Sequence, residues 1–142
     1  MKFAGICNPC DFLLYKYPFL YLWELKSHQG KNIPFTVIRE QQLRKLTEIE
    51  QIGVSAGFIL NFRDLSESYW VEAKKVKGIW EKSERKSISV EWCRTEGIRI
   101  EQSLKRVRFY YDIPRLLEEL DSSSSTHYKV FNASLSRDLI LI

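Results

Sequence analysis

Apolar and aromatic residues along this 142-residue chain fall into short blocks, some with a period of two and others with a period between three and four. Residues 10–16 (CDFLLYK) and 19–26 (FLYLWELK) are rich in aromatic and branched side chains and are divided by Tyr17-Pro18, which predicts an antiparallel strand pair. Proline cannot take a positive φ, so the tightest hairpin turns are disfavoured and a longer connection with the same centre is expected. Residues 30–34 read as a loop. Thr36 then offers an N-cap for a helix to about residue 52, along which Leu43, Leu46 and Ile49 recur as an apolar stripe. Gly53 is placed to end it.

Residues 55–62 (SAGFILNF) are apolar enough to be a strand buried on both faces, and 68–73 (SYWVEA) form a shorter one after a turn at 63–66. Residues 74–82 look helical, with Val76, Ile79 and Trp80 as the inward set. A short helix near 90–95 and a strand near 106–110 follow, then a helix over 113–120 that opens on Pro114, a preferred first helical residue. After Asp121, four consecutive serines begin a polar stretch expected to be a mobile tail. The pattern is that of an α/β domain over residues 1–120, a mixed sheet flanked by helices, with a tail over 121–142.

Composition narrows the class. With 44% apolar, 28% charged and 13% aromatic residues, disordered, collagen-like and coiled-coil chains are excluded. The longest uncharged apolar stretch, residues 17–23, contains Pro18 and falls far short of the roughly 18 residues a membrane span needs. The first residues lack the apolar core of a secretory signal, and three cysteines make no disulfide framework, so a reducing, cytoplasmic location is expected. Cys7-Asn8-Pro9-Cys10 has zinc-like spacing, yet the other candidate ligands, His28, Cys93 and His127, are scattered.

Net charge is only +4, but residues 74–108 hold 11 basic and 5 acidic residues, while the remainder is slightly acidic. That local excess suits a polyanion, nucleic acid being the commonest; a solvated helix face accounts for it as well. Its leading members are Lys74, Lys75, Lys77, Lys82, Arg85 and Lys86, interleaved with aromatic residues better placed in a core than on bases.

Asp11 and the triplet Glu24-Leu25-Lys26 carry the candidate chemistry. Alternate side chains share a strand face, so Glu24 and Lys26 point one way with Leu20 and Leu22, and Tyr21, Trp23 and Leu25 point the other. A turn centred on Tyr17-Pro18 pairs residues whose numbers sum to 35, which sets Asp11 opposite Glu24 with Cβ atoms roughly 5 Å apart. Two facing carboxylates flanked by Leu13, Tyr15, Leu20 and Leu22 ask for a cation, and an all-oxygen site suits Mg²⁺. A divalent metal and a lysine beside a basic surface are what phosphodiester hydrolysis needs. An exposed strand pair, with Asp11 marking a strand start, explains so short a pattern without any chemistry.

These residues also resemble a known family. Asn8-Pro9-Cys10-Asp11 with Glu24-Leu25-Lys26 is similar to the PD-(D/E)xK nuclease signature. The segments WELKSHQGKNIPF, REQQLRKL, GFILNFRD, YWVEAKKV and ERKSI resemble the RecU family of Holliday junction resolvases of Gram-positive bacteria and their phages. The resemblance implies a restriction-endonuclease-like core and Mg²⁺, with Mn²⁺ as a substitute. Asp11 and Glu24 would be metal ligands and the Leu25 backbone carbonyl a further one. Lys26 would orient or activate the attacking water, and Gln42 would lie at the first helical turn beside the site. It further implies a homodimer that binds four-way DNA junctions and nicks two strands in recombination and repair. Such cores normally carry a helix, with an acidic residue, and a strand ahead of the aspartate strand. Only ten residues, none acidic, precede Asp11, so an N-terminally short core is expected, and a catalytically weak or inactive DNA-binding accessory protein is the alternative.

Overall fold

Alternation along the first two strands decides how the sheet is faced. The computed structural model describes residues 10–105, 108–123 and 139–141. β1 (Phe12–Lys16) and β2 (Phe19–His28) pair antiparallel with Phe12 opposite Trp23 and Lys16 opposite Phe19, the register with numbers summing to 35. The connection is shorter than expected. The Tyr17-Pro18 peptide is cis, and a cis-proline at the third position of a β-turn closes the hairpin with two residues and no positive φ.

The segment expected as a loop instead holds β3 (Asn32–Pro34), and Thr36 lies inside a 3₁₀ turn over Phe35–Val37 rather than at a helix cap. Burial explains the difference. Ile33, Phe35 and Ile38 all enter the core, the Phe35 ring stacks on Trp80 with centroids 4.8 Å apart, and Ile38 is extended. α1 (Glu40–Gln51) therefore starts three residues late, capped at Arg39 instead of Thr36; it buries Leu43 and Leu46 and is closed off by Gly53, whose φ is +91°.

β4 (Ser55–Phe62) runs parallel to β2, and a 3₁₀ turn over Arg63–Leu65 returns the chain as β5 (Glu67–Glu72). At Gly57 a Cβ would meet the Val71 carbonyl oxygen at 2.5 Å and the Trp70 ring at 3.1 Å, so only glycine fits this crossing. α2 (Ala73–Lys82) follows, then β6 (Ser87–Ser89), which pairs with β3. Ser89 Oγ caps α3 (Val90–Glu96) by accepting from the Trp92 N–H at 3.2 Å. β7 (Ile98–Ile100) leads into the hairpin β8 (Gln102–Lys105) and β9 (Arg108–Tyr111), and then into α4 (Ile113–Ser123). β10 (Leu139–Leu141) pairs with β1; the rest of the expected tail beyond α4 lies outside the described residues.

The main sheet has the order β10-β1-β2-β4-β5-β7 and is mixed, with one core on each face. Leu22, Phe58, Leu60, Phe62 and Val71 pack under α1, α2 and α3; Leu14, Tyr21, Trp23, Ile59 and Trp70 pack against Leu116, Leu117 and Leu120 of α4. Helices on both sides are why β4 is apolar at nearly every position. Among the described residues no helix is long and apolar enough to cross a membrane.

On the α3 side, Arg94 grips Glu67 with two bonds, Nη2 to Oε1 at 2.8 Å and Nε to Oε2 at 3.1 Å, and the Tyr69 hydroxyl donates to the same carboxylate. Arg94 first, and then Tyr69, hold the Glu67 carboxyl at about 2 instead of 4.5. A depressed folded-state value contributes stability above the unfolded value that disappears as pH falls toward the folded one. The melting temperature is therefore expected to drop between pH 4.5 and about 2, with that part of the slope missing in Glu67→Gln when both are followed by circular dichroism. Leu46→Ala, which empties a site with 0% exposure beneath α1, is expected to cost about 2–5 kcal/mol in urea unfolding.

Candidate metal and nuclease site

β2 carries Glu24 and Lys26 on the face that α1 covers, and α1 brings Gln42 onto them from its first turn. The three side chains close a ring of hydrogen bonds. Lys26 Nζ donates to Glu24 Oε1 at 2.8 Å and to Gln42 Oε1 at 3.1 Å, and Gln42 Nε2 donates to Glu24 Oε1 at 2.8 Å. Only one orientation of the Gln42 amide satisfies both neighbours, since lysine can only donate and a carboxylate only accept.

Glu24 is 4% exposed, and its second oxygen, Oε2, is buried without a hydrogen-bond partner. A buried carboxylate oxygen with no donor is costly, so this atom is suited to a cation. Asp11, one residue beyond the ladder in the same register, stands across from it; its Oδ2 accepts from the Leu25 N–H at 2.9 Å, which ties the aspartate to the strand of the glutamate. Cys10 feels both charges. Burial first, and then Glu24 and Asp11, push its thiol upward. Cys93 is also buried, and desolvation lifts its thiol to about 12. Neither cysteine is a poised nucleophile; Cys7 lies outside the described residues.

The donor set fits a hard divalent ion. It is all oxygen and includes one unpartnered buried atom, with a lysine beside it to meet a further negative group. Among the described residues no cluster of three or more His, Cys, Asp or Glu gathers, so two carboxylates are what the side chains here contribute, and magnesium readily keeps water in its other positions.

Asp11, Glu24, Leu25, Lys26 and Gln42 are thus brought together, but the six basic residues are not. The Lys74 N–H is bound by Glu50 near the far end of α1, eight residues or about 12 Å along the helix from Gln42. Lys74, Lys75 and Lys77 are engaged by Glu72, Glu96 and Glu81 at 3.0, 3.6 and 3.9 Å. Lys82, Arg85 and Lys86 are exposed; the Lys86 carbonyl accepts from the Phe35 N–H, which puts this trio beside the β3–β6 ribbon that follows β2.

Two supports of the site escaped the sequence reading. Asn61 is buried in β4; its Oδ1 accepts from Ser27 Oγ at 2.8 Å and its Nδ2 donates to Ser68 Oγ at 2.8 Å, pinning β2 just past Lys26 from the opposite face. Asp64 accepts from the Gly30 N–H at 2.7 Å and holds the turn after β2. Asn61 had a visible signal as the one amide in an apolar run, whereas Asp64 looked like any turn residue.

Comparison with known proteins agrees with this geometry. The family model described as Recombination protein U (RecU) matches residues 14–114. The SPbeta prophage-derived uncharacterized protein YotM of Bacillus subtilis (strain 168) is 26% identical over a 129-residue alignment. That match covers 80% of this chain and 66% of the relative, so the chain spans just under two thirds of that protein's length. With strands β2, β4 and β5, and with Glu24, Lys26 and Gln42, inside the matched span, the chain belongs to the RecU family.

Proposed function

We propose that this protein is a divalent-metal-dependent endonuclease acting on branched DNA, a Holliday junction resolvase working in recombination and repair as a homodimer. The observation that carries this reading is the Glu24 carboxylate, with one oxygen held by Lys26 and Gln42 and the other buried and unpartnered, opposite Asp11. Family membership supports the substrate class.

In this reading Asp11, Glu24 Oε2 and the Leu25 carbonyl hold Mg²⁺, with Mn²⁺ as a substitute. When bound there, the ion supplies Lewis-acid polarisation of the phosphate and charge compensation for the leaving oxygen. The chain's own residues do the rest. Lys26 turns its ammonium from Glu24 to the attacking water and to the negative charge that grows on the phosphate oxygens. Gln42 keeps Glu24 and Lys26 in one geometry, so that neither must reorganise as charge develops. Lys82, Arg85 and Lys86, and to a lesser degree the ion-paired Lys74, Lys75 and Lys77, contact backbone phosphates without reading bases, which suits an enzyme that selects DNA shape. A DNA-binding accessory protein of the same fold with weak or lost hydrolysis is the second reading, favoured by the fact that among the described residues only two carboxylates gather, where a fuller acidic set would bind metal more tightly.

Incubating a four-way junction with Mg²⁺ is expected to yield paired, symmetric nicks with the wild type and a loss of at least about 100-fold in Glu24→Ala and Lys26→Ala. Binding without nicking by the wild type sinks the nuclease reading and leaves the accessory one. Metal binding has its own readout. Mg²⁺ at 100 times its dissociation constant is expected to stabilise the folded wild type by about 2.7 kcal/mol in calorimetry, and Glu24→Ala to abolish the increment.

A further inference from the structure

β2 runs two residues past Lys26 and ends on His28. Alternation puts His28 on the face that carries Glu24 and Lys26, and the ladder agrees: Glu24, Lys26 and His28 stand beside Phe58, Leu60 and Phe62 of β4, which all belong to the core on the α1 side. Exposure rises along this row. Glu24 is 4% exposed and the Lys26 side chain 14%, while His28 is partly open to solvent, so the row leads outward from the buried carboxylate to the imidazole.

The chain is fastened on both sides of His28. Ser27 Oγ donates to Asn61 Oδ1 at 2.8 Å, and the Gly30 N–H donates to Asp64 at 2.7 Å. Within the ring one nitrogen is committed. Nδ1 lies 2.6 Å from the Gln29 carbonyl oxygen, which can only accept, so Nδ1 carries a proton; Nε2 has no partner among the described residues. A second proton, on Nε2, turns the ring into a cation with one free donor, the form that binds a phosphate. The charged groups of the elements around it are Glu24 and Lys26 on β2, Lys31 ahead of β3, Arg39 and Glu40 at the start of α1, and Arg63 and Asp64 after β4. Glu24 and Lys26 are bonded to each other and Asp64 holds Gly30, which leaves Lys31, Arg39 and Arg63 against Glu40, a positive balance suited to a polyanion.

At about 3.3 Å per residue, His28 stands roughly 7 Å beyond Lys26 and roughly 13 Å beyond Glu24 along the strand. That is too far to touch the reacting phosphorus, but it suits another phosphate of the same DNA strand. We propose that the His28 imidazolium binds a backbone phosphate a few nucleotides from the scissile one and guides the cleaved strand along β2 into the site. The proposal rests on the nuclease reading and adds a substrate-binding residue to it.

The test measures anisotropy of a fluorescein-labelled four-way DNA junction titrated with protein in EDTA, where no cleavage intervenes, at pH 5.5 and pH 8. Between these values the wild type is expected to gain roughly 10-fold more affinity on acidification than His28→Gln, the size of one charge-assisted hydrogen bond. His28→Arg, charged throughout, is expected to bind as tightly at pH 8 as the wild type does at pH 5.5, once the gain common to all three proteins is subtracted. Equal pH dependence in the wild type and His28→Gln overturns the proposal and leaves the nuclease reading intact when the wild type still nicks the junction with Mg²⁺; a wild type that binds no DNA overturns both. An equal loss at both pH values in His28→Gln makes the contact uncharged and likewise overturns it. Should the His28 variants fail to fold, proton NMR on His127→Gln, in which His28 is the sole histidine, gives the same answer: at pH 6.5 saturating junction DNA is expected to move the imidazole C2 proton toward its acid position, and an unmoved signal overturns the proposal.

Discussion

Placing a carboxylate where water hardly reaches is the constraint from which the rest of this molecule can be understood. Glu24 is 4% exposed, and burying an ionised group costs several kcal/mol unless partners compensate it. Lys26 and Gln42 compensate one oxygen only. Keeping them there ties three elements to one another: β2 must present residues 24 and 26 to α1, α1 must begin close to Gln42, and β1 must start just after Asp11 so that it faces Glu24. Replacing the cluster with packed apolar side chains would serve stability as well or better, so folding alone does not account for it.

The two-sided core makes that arrangement robust. Trp23 and Leu25 sit on the α4 side and Leu22 and Lys26 on the α1 side, so a slip of one residue would throw Trp23 against α1 and swing Glu24 under α4. Buried pairs then fix the register from both faces. Tyr21, Trp23 and Trp70 meet edge to face on one side, with centroids 5.7 and 6.4 Å apart, while Phe35 and Trp80 stack on the other. The site inherits its precision from packing well away from it.

Much of this was legible in the sequence. The strand pair, its register and the face shared by Glu24 and Lys26 followed from a period of two and a proline-centred turn, and the stripe of Leu43, Leu46 and Ile49 marked the buried side of α1. The misses have physical causes. A cis peptide has no sequence signature distinct from any X-Pro pair, so the turn came out too long. The start of α1 was displaced because tertiary burial of Phe35 and Ile38 outweighed a good capping residue at Thr36. β3 and β7 are three residues each and β8 four, too short for alternation to show. The glutamates that occupy Lys74, Lys75 and Lys77 are partly distant in sequence, so a linear charge count overstated how many cations stand free.

β10 gives the chain a further property. Without it β1, the strand that leads out of Asp11, would be the rim of the sheet, with a row of backbone amides and carbonyls open to any passing strand. Leu139, Ile140 and Leu141 cover that rim by pairing with Lys16, Tyr15 and Leu14. A segment more than a hundred residues away thus acts as a selvedge for the acid-bearing hairpin, protecting it from intermolecular strand addition, and a fusion partner or truncation at this end of the chain would affect solubility before it disturbed the cluster of Asp11, Glu24 and Lys26.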